Sequence, residues 1–186
     1  MTSKMNIRHA TVSMCQIAVC AALLCVLSPL AIPTPINVAF TLQVLIVLLT
    51  ALILSPLQAL AAQVIYTLLG IVGLPVFSNY QSGFGVIAGP TGGFIIGFIL
   101  ASFLVSLLKG SIDSKWAVVR YIIVAVVVGI PCIYLPGIVG FMLYTGKDFA
   151  ASFAVVAATF ILIDLAKCVI ASLLAVPVNM ALKKVR

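Results

Sequence analysis

Between Arg8 and Lys109 the chain runs for 100 residues without one aspartate, glutamate, lysine or arginine. A fold that faces water cannot accommodate such a stretch, because soluble domains carry about 25% charged residues and about 45–50% apolar ones. Over the whole chain the figures here are 7% charged and 65% hydrophobic. The sequence is therefore predicted to fold as an all-α integral membrane protein, a single domain spanning residues 1–186.

Apolar runs and their breaks predict six spans. The first covers about 10–32 and closes at Ser28-Pro29 and Pro33-Thr34-Pro35. The second, about 37–54, ends at Ser55-Pro56, and the third, about 57–74, at Gly73-Leu74-Pro75. The fourth covers about 89–108 and stops at Lys109-Gly110. The fifth, about 117–144, is interrupted by Pro131 and by Pro136-Gly137; the sixth covers about 149–178. Each approaches or exceeds the ~20 residues a helical span needs. The run behind Lys4 and Arg8 resembles a signal peptide but is longer than the usual apolar core of one, and reads as the first span.

Charge places the ends. The net charge of +7 is not a nucleic-acid footprint, since the basic residues gather at segment ends. With both termini cytoplasmic, that side holds Lys4, Arg8, Lys109, Lys115, Arg120, Lys183, Lys184 and Arg186. The outer side holds Lys147 beside Asp148, and Lys167 is left inside the membrane. Such an asymmetry favours a six-helix bundle with cytoplasmic termini.

Asp164 and Lys167 are the only charges between Phe149 and Leu182, a run of 34 residues. One charge at mid-membrane costs roughly 2.5–3.5 kcal/mol on insertion scales. Their i, i+3 spacing places both on one helix face. They read as a ligand site, in which Lys167 neutralises a carboxylate and Asp164 accepts from N–H groups. A structural ion pair is the alternative. Gln43, in the outer half of span two, is a further site candidate. Tyr134 and Tyr144 fit an aromatic belt equally well.

Residues Pro75–Ala88 carry no charge but hold Ser78, Asn79, Tyr80, Gln81 and Ser82. The apolar remainder, with Phe77 and Phe84, reads as a loop folded back over the bundle; a plain surface loop is the alternative. Gly89, Gly93 and Gly97 recur every four residues and predict a smooth face for close helix packing. Ala18 and Ala22 form another small pair, either an internal packing face or a docking face. Five scattered cysteines read as small buried hydrophobes. There is no Walker A run and no metal-ligand spacing, and one histidine with three acids gives general acid–base chemistry almost no raw material. Neither an enzyme nor a cofactor or metal protein is expected.

The stretch from Gly70 to Phe77, GIVGLPVF, followed by Gly89-Pro90-Thr91-Gly92-Gly93-Phe94, resembles the signature of the BioY family. Asp164-Leu165-Ala166-Lys167 is similar to that family's acid–lysine pair, and the similarity runs over essentially the whole chain. The resemblance implies a biotin-binding S component of an energy-coupling factor transporter in a prokaryotic cytoplasmic membrane. It implies partners as well: a transmembrane T component and two ATP-binding subunits, docked on an alanine-rich face at Ala18 and Ala22. Biotin fits the residues, with Asp164, Asn79 and Lys167 as polar contacts and Phe77, Tyr80 and Phe84 as lid contacts. Carriage of another vitamin, transport without partners, and a scaffold stapled by the Asp–Lys pair are the competing readings.

Overall fold

Proline marks several of the helix boundaries in this chain, although Pro131, Pro136 and Pro177 lie within continuous helical rods. A computed structural model describes residues 2–32 and 39–183; the side chains of Lys4, Arg8 and His9, the Pro33-Thr34-Pro35 break, and Lys184 and Arg186 lie outside the described part. Helix α1 covers Thr2–Leu27 and stops before Ser28-Pro29. Pro29 has no N–H and disfavours helical geometry at the residue before it. The first expected span is therefore too long. Ala31–Ile32 (β1) instead pairs antiparallel with Phe40–Thr41 (β2). The second is also shorter than expected: α2 covers only Gln43–Ile53.

Ser55 and Gln58 form a reciprocal capping box, with Pro56 in the first turn, and open α3, Pro56–Val72. A 3-10 turn, Ser78–Tyr80, and the single turn α4, Phe84–Ile87, lie between α3 and α5, Gly92–Leu108. The next rod, Ala117–Thr145, is continuous but not uniform. It consists of α6, Ala117–Val124, a π turn at Ala125–Gly129, and α7, Ile130–Thr145. Helix α8, Phe149–Lys183, closes the order.

Three of these helical stretches are long and apolar enough to cross a membrane: Ala10–Leu27 of α1, Ala117–Thr145, and α8. Helices α2, α3 and α5 are apolar too, at 11, 17 and 17 residues. An 11-residue helix is about 16 Å long, against a hydrocarbon core of about 30 Å.

Helix α5 packs most extensively on α7, and glycine sets how closely. A Cβ at Gly97 would lie 2.8 Å from both the Cys132 carbonyl oxygen and the Ile133 Cα. One at Gly93 would collide with the Pro136 carbonyl, and one at Gly140 would meet the Gly93 Cα at 2.9 Å. Backbone therefore touches backbone, as small residues allow in membrane helices. Gly89 does not share this face. It sits in the turn before α5, and Pro90 likewise precedes the helix instead of opening it.

The end of the bundle near Lys109 is tied by polar bonds to backbone. The Lys109 ammonium donates to the carbonyls of Ala51 (3.1 Å), Leu52 (2.9 Å) and Leu54 at the end of α2. Ser106 Oγ donates to Leu54 O at 2.6 Å, and Asn179 Nδ2 from α8 donates to Leu52 O at 2.9 Å. These are the carbonyls a helix C-terminus leaves without partners, and a cation there also complements the helix dipole. Lys183 pairs with Asp113 across the loop between α5 and α6 and holds that carboxyl below its ordinary range.

The α5–α7 contact gives a direct expectation. Gly97→Leu forces the two backbones apart and should lower stability by about 1–3 kcal/mol, the usual range for overpacking. Val127→Leu, on an exposed position of the rod, should leave it unchanged. Thermal unfolding in detergent micelles checks the pair.

Candidate functional site

Helices α2, α5, α7 and α8 and the loop after α3 build the site. Asp164 and Lys167 lie one turn apart on α8, both buried. Lys167 Nζ donates to Asp164 Oδ1 at 2.7 Å. From α7, the buried Tyr134 hydroxyl donates to Asp164 Oδ2 at 2.8 Å. Each oxygen of the carboxylate therefore holds one donor and keeps further acceptor capacity.

Gln43 opens α2 beside this cluster. Its Nε2 donates to the Tyr66 hydroxyl of α3 at 2.8 Å, and that hydroxyl donates to the Val76 carbonyl at 3.1 Å. The chain of bonds reaches from the cavity wall to the start of the loop after α3. The loop is seated by apolar contact as well. Phe77 is 1% exposed and packs edge-on against Tyr66, with ring centroids 5.7 Å apart. Gly70 makes room for it, since a Cβ there would strike the Phe77 ring. Gly83 N–H donates back to Gly70 O at 2.7 Å. The GIVGLPVF stretch is thus the seat of a folded-back loop.

These groups enclose one cavity. Its polar lining is Thr41, Gln43, Ser78, Thr91, Tyr134, Asp164 and Lys167, and its apolar wall includes Phe77, Phe94, Phe98, Ile133 and Phe160. An apolar chamber with a few convergent polar groups is the usual form of a small-molecule site. A second, more polar cavity adjoins it and shares Ala39, Ser78, Val86 and Thr91 with it. Asn79, Gln81, Ser82 and Tyr144 line this outer chamber.

Of the residues expected at the site, Asp164, Lys167, Gln43 and Phe77 meet in the inner cavity. Asn79 lines the outer one. Tyr80 and Phe84 are exposed and line neither. Asn79 and Tyr80 both hold left-handed backbone, with φ of 55° and 59°. Asparagine tolerates this; tyrosine does so at a cost, and such strain collects at functional loops. Tyr134 is the residue missed: it is buried against Asp164 and takes no place in an aromatic belt. Exposed Tyr144 remains compatible with one. Far from the cavity, Ala18 and Ala22 are exposed on α1, while Cys20, Ala21 and Leu24 face the core.

Comparison with known proteins follows the same lines. A family model described as the BioY family matches residues 1–184. The biotin transporter BioY of Thermotoga maritima is 38% identical over 138 residues, 74% of this chain and 79% of that protein. A probable biotin transporter BioY of Bacillus subtilis is 35% identical over 177 residues, 92% of each chain. The crystal structure of the S-component for biotin from an ECF-type ABC transporter superimposes with a TM-score of 0.80 at 22% identity, covering 97% of this chain and 95% of that one. At that identity the likeness is one of fold.

Removing one partner from the buried pair strands the other. Lys167→Met should cost about 3–5 kcal/mol of stability, whereas Asp164→Leu with Lys167→Met should recover most of the loss. Unfolding curves of the single and double variants in detergent check this. An equal loss in both would mean that the charge on Asp164 is not what the single variant leaves unpaired.

Proposed function

The chain belongs to the BioY family, and from that premise we propose that it is the substrate-capture component of a biotin uptake system. The observation that carries this is the Tyr134–Asp164–Lys167 cluster in the wall of an inner cavity that also presents a phenylalanine-rich face. Biotin offers a ureido ring with two N–H donors and one carbonyl, an apolar bicycle and a carboxylate tail. Asp164 accepts from the ureido N–H groups, Lys167 supplies a cation or donor, and the phenylalanine wall packs on the bicycle. Gln43 completes the polar contacts and Phe77 the apolar wall, while Asn79 offers a polar contact in the outer chamber; Tyr80, on the same loop, faces away. No bond of the ligand is made or broken.

In this proposal the chain is one domain of six spans in the cytoplasmic membrane, centred in turn on α1, α2, α3, α5, the α6–α7 rod and α8, with α2 itself covering about half of the hydrocarbon core. Both termini are cytoplasmic, so the Lys109 end faces inward and the loop end outward. That assignment agrees with the basic residues at 109, 115, 120 and 183. Biotin enters from the loop side. A T component and two ATP-binding subunits supply energy, docking on the α1 face that presents Ala18 and Ala22.

Binding of labelled biotin to the detergent-solubilised protein tests the ligand. Stoichiometric binding is expected, and Lys167→Ala should weaken it by more than tenfold, about 1.4 kcal/mol. A well-folded protein that binds no biotin would overturn the assignment. The docking face is tested separately: Ala18→Trp should leave binding intact and abolish energised uptake in cells. Uptake at the unaltered rate would move the partner surface elsewhere.

A further inference from the structure

The rod from α6 to α7 does not keep one buried face. Helix α6 buries Ala117, Tyr121 and Val124, spaced four and three, as a regular helix requires. Continued at 3.6 residues per turn, that face would bring Leu135 inward. Leu135 is instead 57% exposed, and α7 buries Ile130, Ile133, Tyr134, Gly137 and Ile138. The change of phase falls at the π turn, Ala125–Gly129. Wide turns of this kind are frequent at functional sites. Here its consequence is that the Tyr134 hydroxyl reaches Asp164. The glycine contacts with α5 then fix α7 at that depth, because Gly93 and Gly97 lie against Pro136, Cys132 and Ile133.

An aspartate held only by Lys167, three residues on along its own helix, could still rotate its carboxylate about the bond that carries it. A second donor from a different helix removes that freedom. With Lys167 on Oδ1 and Tyr134 on Oδ2, the plane of the carboxylate is fixed, and so are the directions of its remaining lone pairs. Two fixed acceptor directions select a rigid ligand edge whose N–H donors match them.

We propose that Tyr134 is the positioning residue that gives this site its selectivity, holding the Asp164 carboxylate in the one orientation that matches a cyclic urea. This rests on the biotin reading above. Tyr134 acts through Asp164, so its removal affects recognition of the ureido edge more than overall affinity for an apolar body.

The test compares Tyr134→Phe with the unaltered protein, using biotin and a biotin analogue methylated at a ureido nitrogen. A buried hydrogen bond to a charged group corresponds to roughly a tenfold to hundredfold change in binding. Tyr134→Phe should therefore weaken biotin binding by about tenfold or more, and should narrow the preference for biotin over the methylated analogue by a similar factor. In an Asp164→Asn background the same change should matter by less than about threefold, because the group being positioned is gone. Equal weakening for both ligands, with a lowered melting temperature, would make Tyr134 structural and overturn the proposal. So would biotin binding that is unchanged or tighter. If Tyr134→Phe does not fold, the carboxylate stretch of isotope-labelled Asp164 in Tyr134→Trp decides: an unshifted band overturns the role. Failure of the unaltered protein to bind biotin would instead remove the ligand assignment itself, a different result from normal binding with an inert Tyr134.

Discussion

An ionised carboxylate inside a membrane bundle is tolerated only while other groups hold its charge, and Asp164 has two such groups on different helices. Lys167 balances the charge from the same helix. Tyr134 brings α7 into the arrangement and thereby makes the geometry of the cluster depend on how α7 packs. That packing in turn depends on glycine: α7 approaches α5 closely because Gly93 and Gly97 present no side chain. A methyl group at either position would push α7 off α5, and the hydroxyl that holds Asp164 with it. The helix–helix contact and the polar site are therefore one mechanical unit. Substitutions remote from the cavity along this seam act on the site.

The loop above the cavity is joined to the same unit by a different route. Gln43 lines the cavity and donates to Tyr66, and Tyr66 holds the Val76 carbonyl. Phe77 then fills the space left by Gly70. One amide side chain therefore joins the cavity wall to the seat of the loop, and its second N–H and its carbonyl oxygen remain for other partners.

Much of this was legible in the residues, and the misses have physical causes. The charge-free run, the proline breaks and the lone Asp–Lys pair gave the membrane class, the approximate helices and two of the three members of the polar cluster. Helix ends were misplaced at Leu27 and Gln43 because mostly apolar residues continue at 30–32 and 39–42, where helical geometry has stopped; a two-residue ladder leaves no periodic signal. Tyr134 was missed because a tyrosine near the end of a span fits an interface as well as a site. Its direction is set at the π turn, which composition does not reveal. Gly89 was grouped with Gly93 and Gly97 by spacing alone, although the helix that would make spacing meaningful starts only at Gly92. Phe77, Tyr80 and Phe84 are expected alike as lid contacts from their type and loop; Phe77 lines the cavity, whereas Tyr80 and Phe84 turn outward.

The two ends of the bundle differ in how they are held. At the Lys109 end, one ammonium, one amide and one hydroxyl donate to the last carbonyls of α2, and each bond joins separate elements. At the other end, Asn79 and Tyr80 stand in left-handed backbone, and the Asn79 N–H donates to Pro29 O at 3.2 Å. For the tyrosine, strain of this kind is of order 1–3 kcal/mol and persists only where surrounding contacts impose it. The Lys109 bonds instead satisfy carbonyls that a helix end would leave unpaired. The loop that carries Ser78, a residue lining both chambers, is thus held against a backbone cost, and the Lys109 end is held by added bonds.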